Sequence, residues 1–287
     1  MKRFHIHLIS DATGETVNGL ARAAIAQFAD VEAVEHFWSL VRNERQVDQV
    51  LAGIEANTGA VLYTLVDETL RTRLADGCRE LQVPAIALLE PVVAMLSNYL
   101  GIEARNKPGG QHALDAEYFS RIDAIHFVLN HDDGQMLHDL NSADVVLVGV
   151  SRTSKTPTCF YLANRGIKAA NVPMVPGAPS PPELETLTTP LVIGLTVNTE
   201  RLVEVRRNRL RMLNQGEETD YVDHEQVNDE VLAARRLFSK HDWPVIDVTR
   251  RSIEEIAAEI LQHLTQRLGG EIVYSTGSGL DNNASRG

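Results

Sequence analysis

Val145-Val146-Leu147-Val148 runs without a break into Gly149-Val150-Ser151-Arg152-Thr153-Ser154-Lys155-Thr156. Four consecutive apolar residues, three of them β-branched, read as a buried strand. A glycine-led polar turn follows, and Lys155-Thr156 opens a helix-compatible segment that Gly166 can end. A strand that turns on glycine and restarts as a helix belongs to a parallel sheet covered by helices. The spacing is that of the phosphate-binding loop G-x-x-x-x-G-K-[ST], with Ser154 standing where the second glycine would be. Gly149 allows a close approach to phosphate. The amides of residues 149–156 can then line a concave anion site at a helix N-terminus. Lys155 is placed to reach terminal phosphates as a point charge. Thr156 can offer its hydroxyl to Mg²⁺, a cation that takes oxygen ligands. Pro157 is tolerated, since the first helical turn needs no N–H there. Ser154 is the departure, because its Cβ restricts the loop, and a polar turn that binds nothing is the competing reading. The strand before, the helix after and the Lys-Thr register favour a phosphate site.

The remaining 275 residues must fit around this unit. A chain of 287 residues with 44% apolar content can bury one large core or two ordinary ones. A net charge of −12 argues against a broad nucleic-acid or anionic-membrane surface. Cys78 and Cys159 fit no metal or disulfide spacing, which suits a reducing cytoplasm and packing roles. No apolar run approaches a membrane span, and residues 1–9 do not read as a signal peptide.

Short apolar runs alternate with amphipathic ones throughout. Strands are expected at 4–9, 36–40, 60–66 and 83–88, and helices at 15–28, 43–56, 68–81 and 91–100. Asn106-Lys107-Pro108-Gly109-Gly110 breaks the pattern, and a helix is expected at 116–130. Further strands are expected at 144–148, 169–175, 191–197 and 245–248. Ser252 and Glu255 form a capping box for a last helix running to about Leu268. The fold class is α/β: two α/β units with mainly parallel sheets, the second a P-loop, kinase-like domain. The expected division is an N-terminal domain 1–141, a nucleotide-binding domain 142–270 and a tail 271–287 that is low in apolar content and expected to be disordered.

A second strand–turn–helix junction lies at Ile9-Ser10-Asp11-Ala12-Thr13-Gly14-Glu15-Thr16. Its hydroxyls and amides could hold a phosphate or a phosphorylated side chain. Asp11 could act as a general base. Ordinary N-capping by Asp11 or Thr13 is the alternative. Five arginines gather at 201, 206, 207, 209 and 211, and at helical spacing Arg206 shares a face with Arg209. Their guanidinium forks suit phosphate, and a solvated helix face is the plainer reading. His131-Asp132-Asp133-Gly134 could hold Mg²⁺ or act as a base, although a polar turn explains it as well. His5 and His7 alternate on one strand face; with no third ligand apparent, they read as plain strand surface. Asp67 and Asp247 are weaker candidates for a metal-side acid.

Taken together, Ile9 to Thr16, His131 to Gly134 and Gly149 to Pro157 resemble the pyruvate, phosphate dikinase regulatory protein family, over nearly all of residues 3–270. Ser154 belongs to that family's version of the loop. The resemblance implies a bifunctional cytoplasmic enzyme. It would move a phosphoryl group from ADP to a threonine of pyruvate, phosphate dikinase, inactivating it. It would also remove that group with inorganic phosphate, releasing pyrophosphate. By the same resemblance Gly149 to Thr156 would bind ADP, and the reading of the residues fits this chemistry, with Lys155 and Asp11 as the catalytic candidates. Thr13, Gly14 and Arg206 would meet phosphate or phosphothreonine, and Thr156 would meet Mg²⁺. The assembly left open includes a homodimer. Three other functions stay open: the same chemistry on phosphoenolpyruvate synthase, an ATP-dependent small-molecule kinase, and a nucleotide sensor without catalysis.

Overall fold

The computed structural model describes residues 1–109, 116–214 and 219–267. The expected tail, 271–287, lies outside them. The chain forms two compact units, Met1–Ala113 and Leu114–Gly287.

The first unit is a four-stranded parallel sheet, β1 (Lys2–Ser10), β2 (Val31–Trp38), β3 (Gly59–Thr64) and β4 (Ala85–Ala87), in the order β2-β1-β3-β4. Its helices are α1 (Glu15–Ile25), α2 (Glu44–Ala56), α3 (Glu68–Glu80) and α4 (Glu90–Leu100). The central strand β1 feeds both faces. Ile6 and Leu8 pack with Val17 and Ala21 of α1. Ile9 packs with Val47, Val50 and Ile54 of α2 and Leu74 of α3. Alternation along the strand therefore sends neighbouring residues into different layers. Asn43 caps α2 as its sequence position suggests, accepting from the Gln46 amide at 3.0 Å. Strand β2 starts five residues before the expected 36–40, because an edge strand buried on one side reads VEAVEHFW, without a continuous apolar run.

His7 is fully buried, so the surface reading of His5 and His7 does not hold. A third ring, His36, sits opposite on β2 and stacks on His7 with centroids 4.5 Å apart. The Trp38 indole N–H donates to His7 Nδ1 at 3.3 Å, while His7 Nε2–H donates to the Asn57 carbonyl at 2.8 Å. Those partners fix a neutral imidazole, and burial pushes its pKa below the ordinary histidine value.

The second unit repeats the strand order. β5 (Val145–Val150), β6 (Ala169–Met174), β7 (Leu191–Thr196) and β8 (Val245–Asp247) form a parallel sheet, β6-β5-β7-β8. Around it lie α5 (Ala116–Asn130), α6 (Lys155–Ala163), α7 (Thr199–Met212), α8 (His224–Lys240) and α9 (Ile253–Arg267). Every residue of β5 and β7 is buried, as central strands covered on both faces require. The structural division places helix α5 and the turns after it, up to residue 141, in the second unit, whereas the sequence-based boundary at 141/142 assigns them to the first. Ala124, Phe127 and Val128 of α5 belong to the core built on β5 and β7. The capping box forms, with Ser252 Oγ accepting from the Glu255 amide and Glu255 accepting from the Ser252 amide. No helix among the described residues is long and apolar enough to cross a membrane.

In each unit the chain leaves the first strand for one neighbour and returns on the other side. The crevice between the carboxyl ends of β1 and β3, and that between β5 and β7, are therefore topological switch points, the places where open α/β sheets hold ligands.

Candidate functional site

The loop expected to bind phosphate lies at the switch point of the second sheet. Strand β5 continues through Gly149 and Val150, so Gly149 is not the turning residue. A Cβ there would stand 2.6 Å from the Leu195 carbonyl oxygen and 3.0 Å from Thr153 Oγ1, and this crowding explains the glycine. The turn is made by Arg152 (φ 77°) and Ser154 (φ 60°), both left-handed. Ser154 thus takes up the conformation for which a phosphate loop usually uses glycine, at some conformational cost. Thr153, fully buried, locks the turn by donating to the Val150 carbonyl at 3.0 Å. Ser154 is the N-cap of α6 and its side chain caps nothing. The first amides of α6 therefore receive no cap from it, at the positive end of the helix dipole.

Lys155 is 5% exposed and folds back onto its own loop. Its Nζ donates to the carbonyls of Gly149 and Val150, each at 2.9 Å. Burial pulls its pKa down to about 8, against the opposing pull of Asp133, Cys159 and Asp132, while Arg206 lowers it further. The Thr156 hydroxyl donates to Asp132 Oδ1 at 2.9 Å. Asn171 of β6 ties the group together: its Nδ2 donates to Asp132 at 2.6 Å, to Thr156 at 3.0 Å and to Asp133 at 3.3 Å. Asp133 itself is left-handed (φ 51°). The His131-to-Gly134 turn is therefore part of the loop's surroundings. Asp67 and Asp247 are not: Asp67 caps α3, and Asp247 accepts from the amide and hydroxyl of Thr249.

Among the described residues no group of three or more His, Cys, Asp or Glu side chains could hold a metal. Mg²⁺ uses only one or two protein carboxylates and completes its shell with phosphate and water. Asp132 supplies one carboxylate and Thr156 a hydroxyl oxygen, and the Asn171 Oδ1 atom beside them is buried without a partner. The residues fit the ion.

Of the arginine cluster, Arg206 is the buried member, at 1% exposure. Its fork meets Glu230 through two bonds of 3.1 and 2.6 Å. It also donates to the carbonyls of Tyr221 (3.1 Å) and Ser151 (3.4 Å). The terminal nitrogens expected to face phosphate are thus committed within the protein. Arg201 pairs on the surface with Glu204, and Arg207 is exposed.

In the first unit the 9–16 junction also lies at its switch point. Gly14 (φ 82°) occupies the N-cap position of α1, so neither Asp11 nor Thr13 is the N-cap residue itself. Asp11 instead accepts from the Val66 amide at 2.7 Å. Burial raises its pKa above the ordinary carboxylate value. Asp11 lines a cavity of about 180 Å³ together with Ser10, Gly14, Thr16, Thr64 and Lys107.

The family model described as kinase/pyrophosphorylase matches residues 6–261. The chain belongs to the kinase/pyrophosphorylase family. Kinase/pyrophosphorylases are phosphotransferases that use a nucleotide, and this chain is one. A relative from Paramagnetospirillum magneticum is 57% identical over 96% of this chain and 90% of its own length. One from Sphingopyxis alaskensis is 54% identical, covering 93% and 99%. One from Caulobacter vibrioides is 53% identical, covering 91% and 83%. Each is provisionally named a pyruvate, phosphate dikinase regulatory protein.

Three parts of this kinase/pyrophosphorylase's loop surroundings went unread in the sequence. Asn171 was detectable as a polar residue inside an otherwise apolar strand, Ala169–Met174. Helix α8 carries Val227, Val231, Ala234 and Phe238 at helical spacing behind the cap Asp223. Glu230 and Tyr221 had no local signal, because their meeting with Arg206 depends on how α7 and α8 pack.

Proposed function

We propose that the chain transfers the β-phosphoryl group of ADP to a threonine of pyruvate, phosphate dikinase, and removes it again by phosphorolysis, in the cytoplasm. The observation that carries this reading is the left-handed turn at Ser154, which leads from a buried strand into Lys155 and Thr156 at an uncapped helix N-terminus. Phosphoryl transfer asks a protein for position and charge rather than covalent chemistry. Amides of residues 150–156 would cradle the diphosphate. Lys155, released from the Gly149 and Val150 carbonyls, would neutralise the transferring group. Asp132 and Thr156 would hold Mg²⁺, which when bound neutralises phosphate oxygens. Asp11 would accept the threonine proton, a role that suits a carboxylate with a raised pKa. Thr13 and Gly14 would help hold phosphothreonine or inorganic phosphate. The relatives' names favour the dikinase over phosphoenolpyruvate synthase.

Purified dikinase and phosphoenolpyruvate synthase, each offered ADP or ATP, test this reading. The expected result is a new phosphothreonine on the dikinase with ADP alone, lost again with inorganic phosphate as pyrophosphate appears. Transfer from ATP only, or no mark on either protein, would reject it.

A further inference from the structure

Arg206, Glu230 and Tyr221 converge on the phosphate loop from two helices and the segment between them. Arg206 comes from α7, Glu230 from α8 and Tyr221 from the turn that joins these helices. The guanidinium is buried and lies over the Tyr221 ring, 4.5 Å from its centroid. It spans three partners: the Glu230 carboxylate, the Tyr221 carbonyl and the carbonyl of Ser151 inside the loop. The Tyr221 hydroxyl also receives the Arg152 guanidinium at 3.3 Å. Two consecutive loop residues, one of them left-handed, are thus tied to one cluster: Ser151 to the buried Arg206 and Arg152 to the half-buried Tyr221 stacked beneath it.

We infer that Arg206, Glu230 and Tyr221 are positioning residues that hold the Ser151–Arg152 turn in its ligand-binding shape. This rests on the loop being the diphosphate site. A turn with left-handed non-glycine residues needs surrounding structure to hold it. A bidentate Arg–Glu fork fixes orientation as well as distance. If the pair served stability alone, nature would gain little from it, because well-packed apolar residues of similar volume replace buried ion pairs without loss of stability.

The apolar replacement gives the test. Arg206→Met with Glu230→Leu is expected to melt at or above the parent's temperature. Its kcat for ADP-dependent transfer should nonetheless fall about a hundred-fold, as displacement of a reacting group by about 1 Å does. The KM for ADP should rise and that for the protein acceptor should stay. Arg206→Lys, which keeps the charge but cannot span three partners, should not rescue transfer. Tyr221→Phe removes only the hydroxyl that receives Arg152 and should lower kcat about three- to tenfold, the worth of one hydrogen bond. Wild-type transfer by the apolar double variant would overturn the inference, as would rescue by lysine. If the double variant does not fold, unchanged kcat in Tyr221→Phe overturns it. ADP binding by the parent is titrated alongside, so a parent that binds no ADP rejects the loop assignment instead.

Discussion

Lys155 is a residue whose chemistry opposes its placement. A cation 5% exposed, with its pKa pulled from 10.5 to about 8, costs stability while it is charged. The unfolded chain binds the proton more tightly between pH 8 and 10.5, so stability rises with pH across that window. Below it the cost is fully present, at most about 3 kcal/mol from the size of the shift, less whatever its two carbonyl bonds return. Lys155→Met should therefore raise the melting temperature at pH 7 and abolish phosphoryl transfer, with the stability gain shrinking as pH approaches 10.5. A destabilised Met variant at pH 7 would contradict this reading. Asp11 carries the same logic with the opposite charge. Its raised pKa means that burial stability is present below pH 3.8 and is lost as pH rises through the folded value. Asp11→Asn keeps an oxygen for the Val66 amide and should be at least as stable as the parent at pH 7. It should slow transfer about a hundred-fold, in the usual range for loss of a general base, with ADP affinity unchanged; full activity would remove Asp11 from the chemistry. Both residues were legible in sequence because each follows a strand at a fixed spacing. Their meeting with the groups that shift their pKa values was not. Asp133, Asp132 and Arg206 reach Lys155, and the Val66 amide reaches Asp11, from distant parts of the chain, and no local pattern encodes such meetings.

Strands and helices were legible where the burial period was unambiguous. β5 and β7 are continuous apolar runs, and α5 was bounded to the residue at Ala116–Asn130. Edge strand β2 was read short because its burial alternates irregularly, and α8 was not read at all. The packing of α8 on β7 shows what holds the second unit's site in place. Gly194 of β7 lies against the ring of Phe238 on α8, and a Cβ at that position would come within 2.5 Å of it. Phe238 is fully buried, so it has no room to withdraw. Gly194→Ala should therefore destabilise the unit by about 1–3 kcal/mol, the usual cost of overpacking a filled core. Because α8 also carries Glu230, the same variant should weaken ADP binding without touching the loop. Thermal melts paired with ADP titration check both effects, and a neutral Gly194→Ala would mean that α8 shifts freely on the sheet.

At the scale of the whole molecule, two sheets share one strand order and each has its own core. The sequence announced the alternating α/β pattern and both strand–turn–helix junctions, since each is local. It could not announce that the two orders match, because strand order is fixed by crossovers that leave no local trace. The chain has only two tryptophans, and they fall one to each unit: Trp38 on β2 and Trp243 just before β8. Trp38 reports on the His7 layer and Trp243 on the Phe238 core. Trp243→Phe and Trp38→Phe therefore give single-probe proteins, one for each unit. A ligand adds stability only to the structure whose unfolding releases it, about 2.7 kcal/mol at a hundred-fold excess over Kd. ADP bound at the Gly149–Thr156 loop should raise the transition seen by Trp243 and leave that seen by Trp38 in place. Inorganic phosphate, if it binds the 9–16 turn, should move the Trp38 transition instead. Equal shifts of both probes with ADP would mean that the two units unfold as one. A shift of Trp38 alone with ADP would put the nucleotide at the first unit's turn, where Asp11 sits.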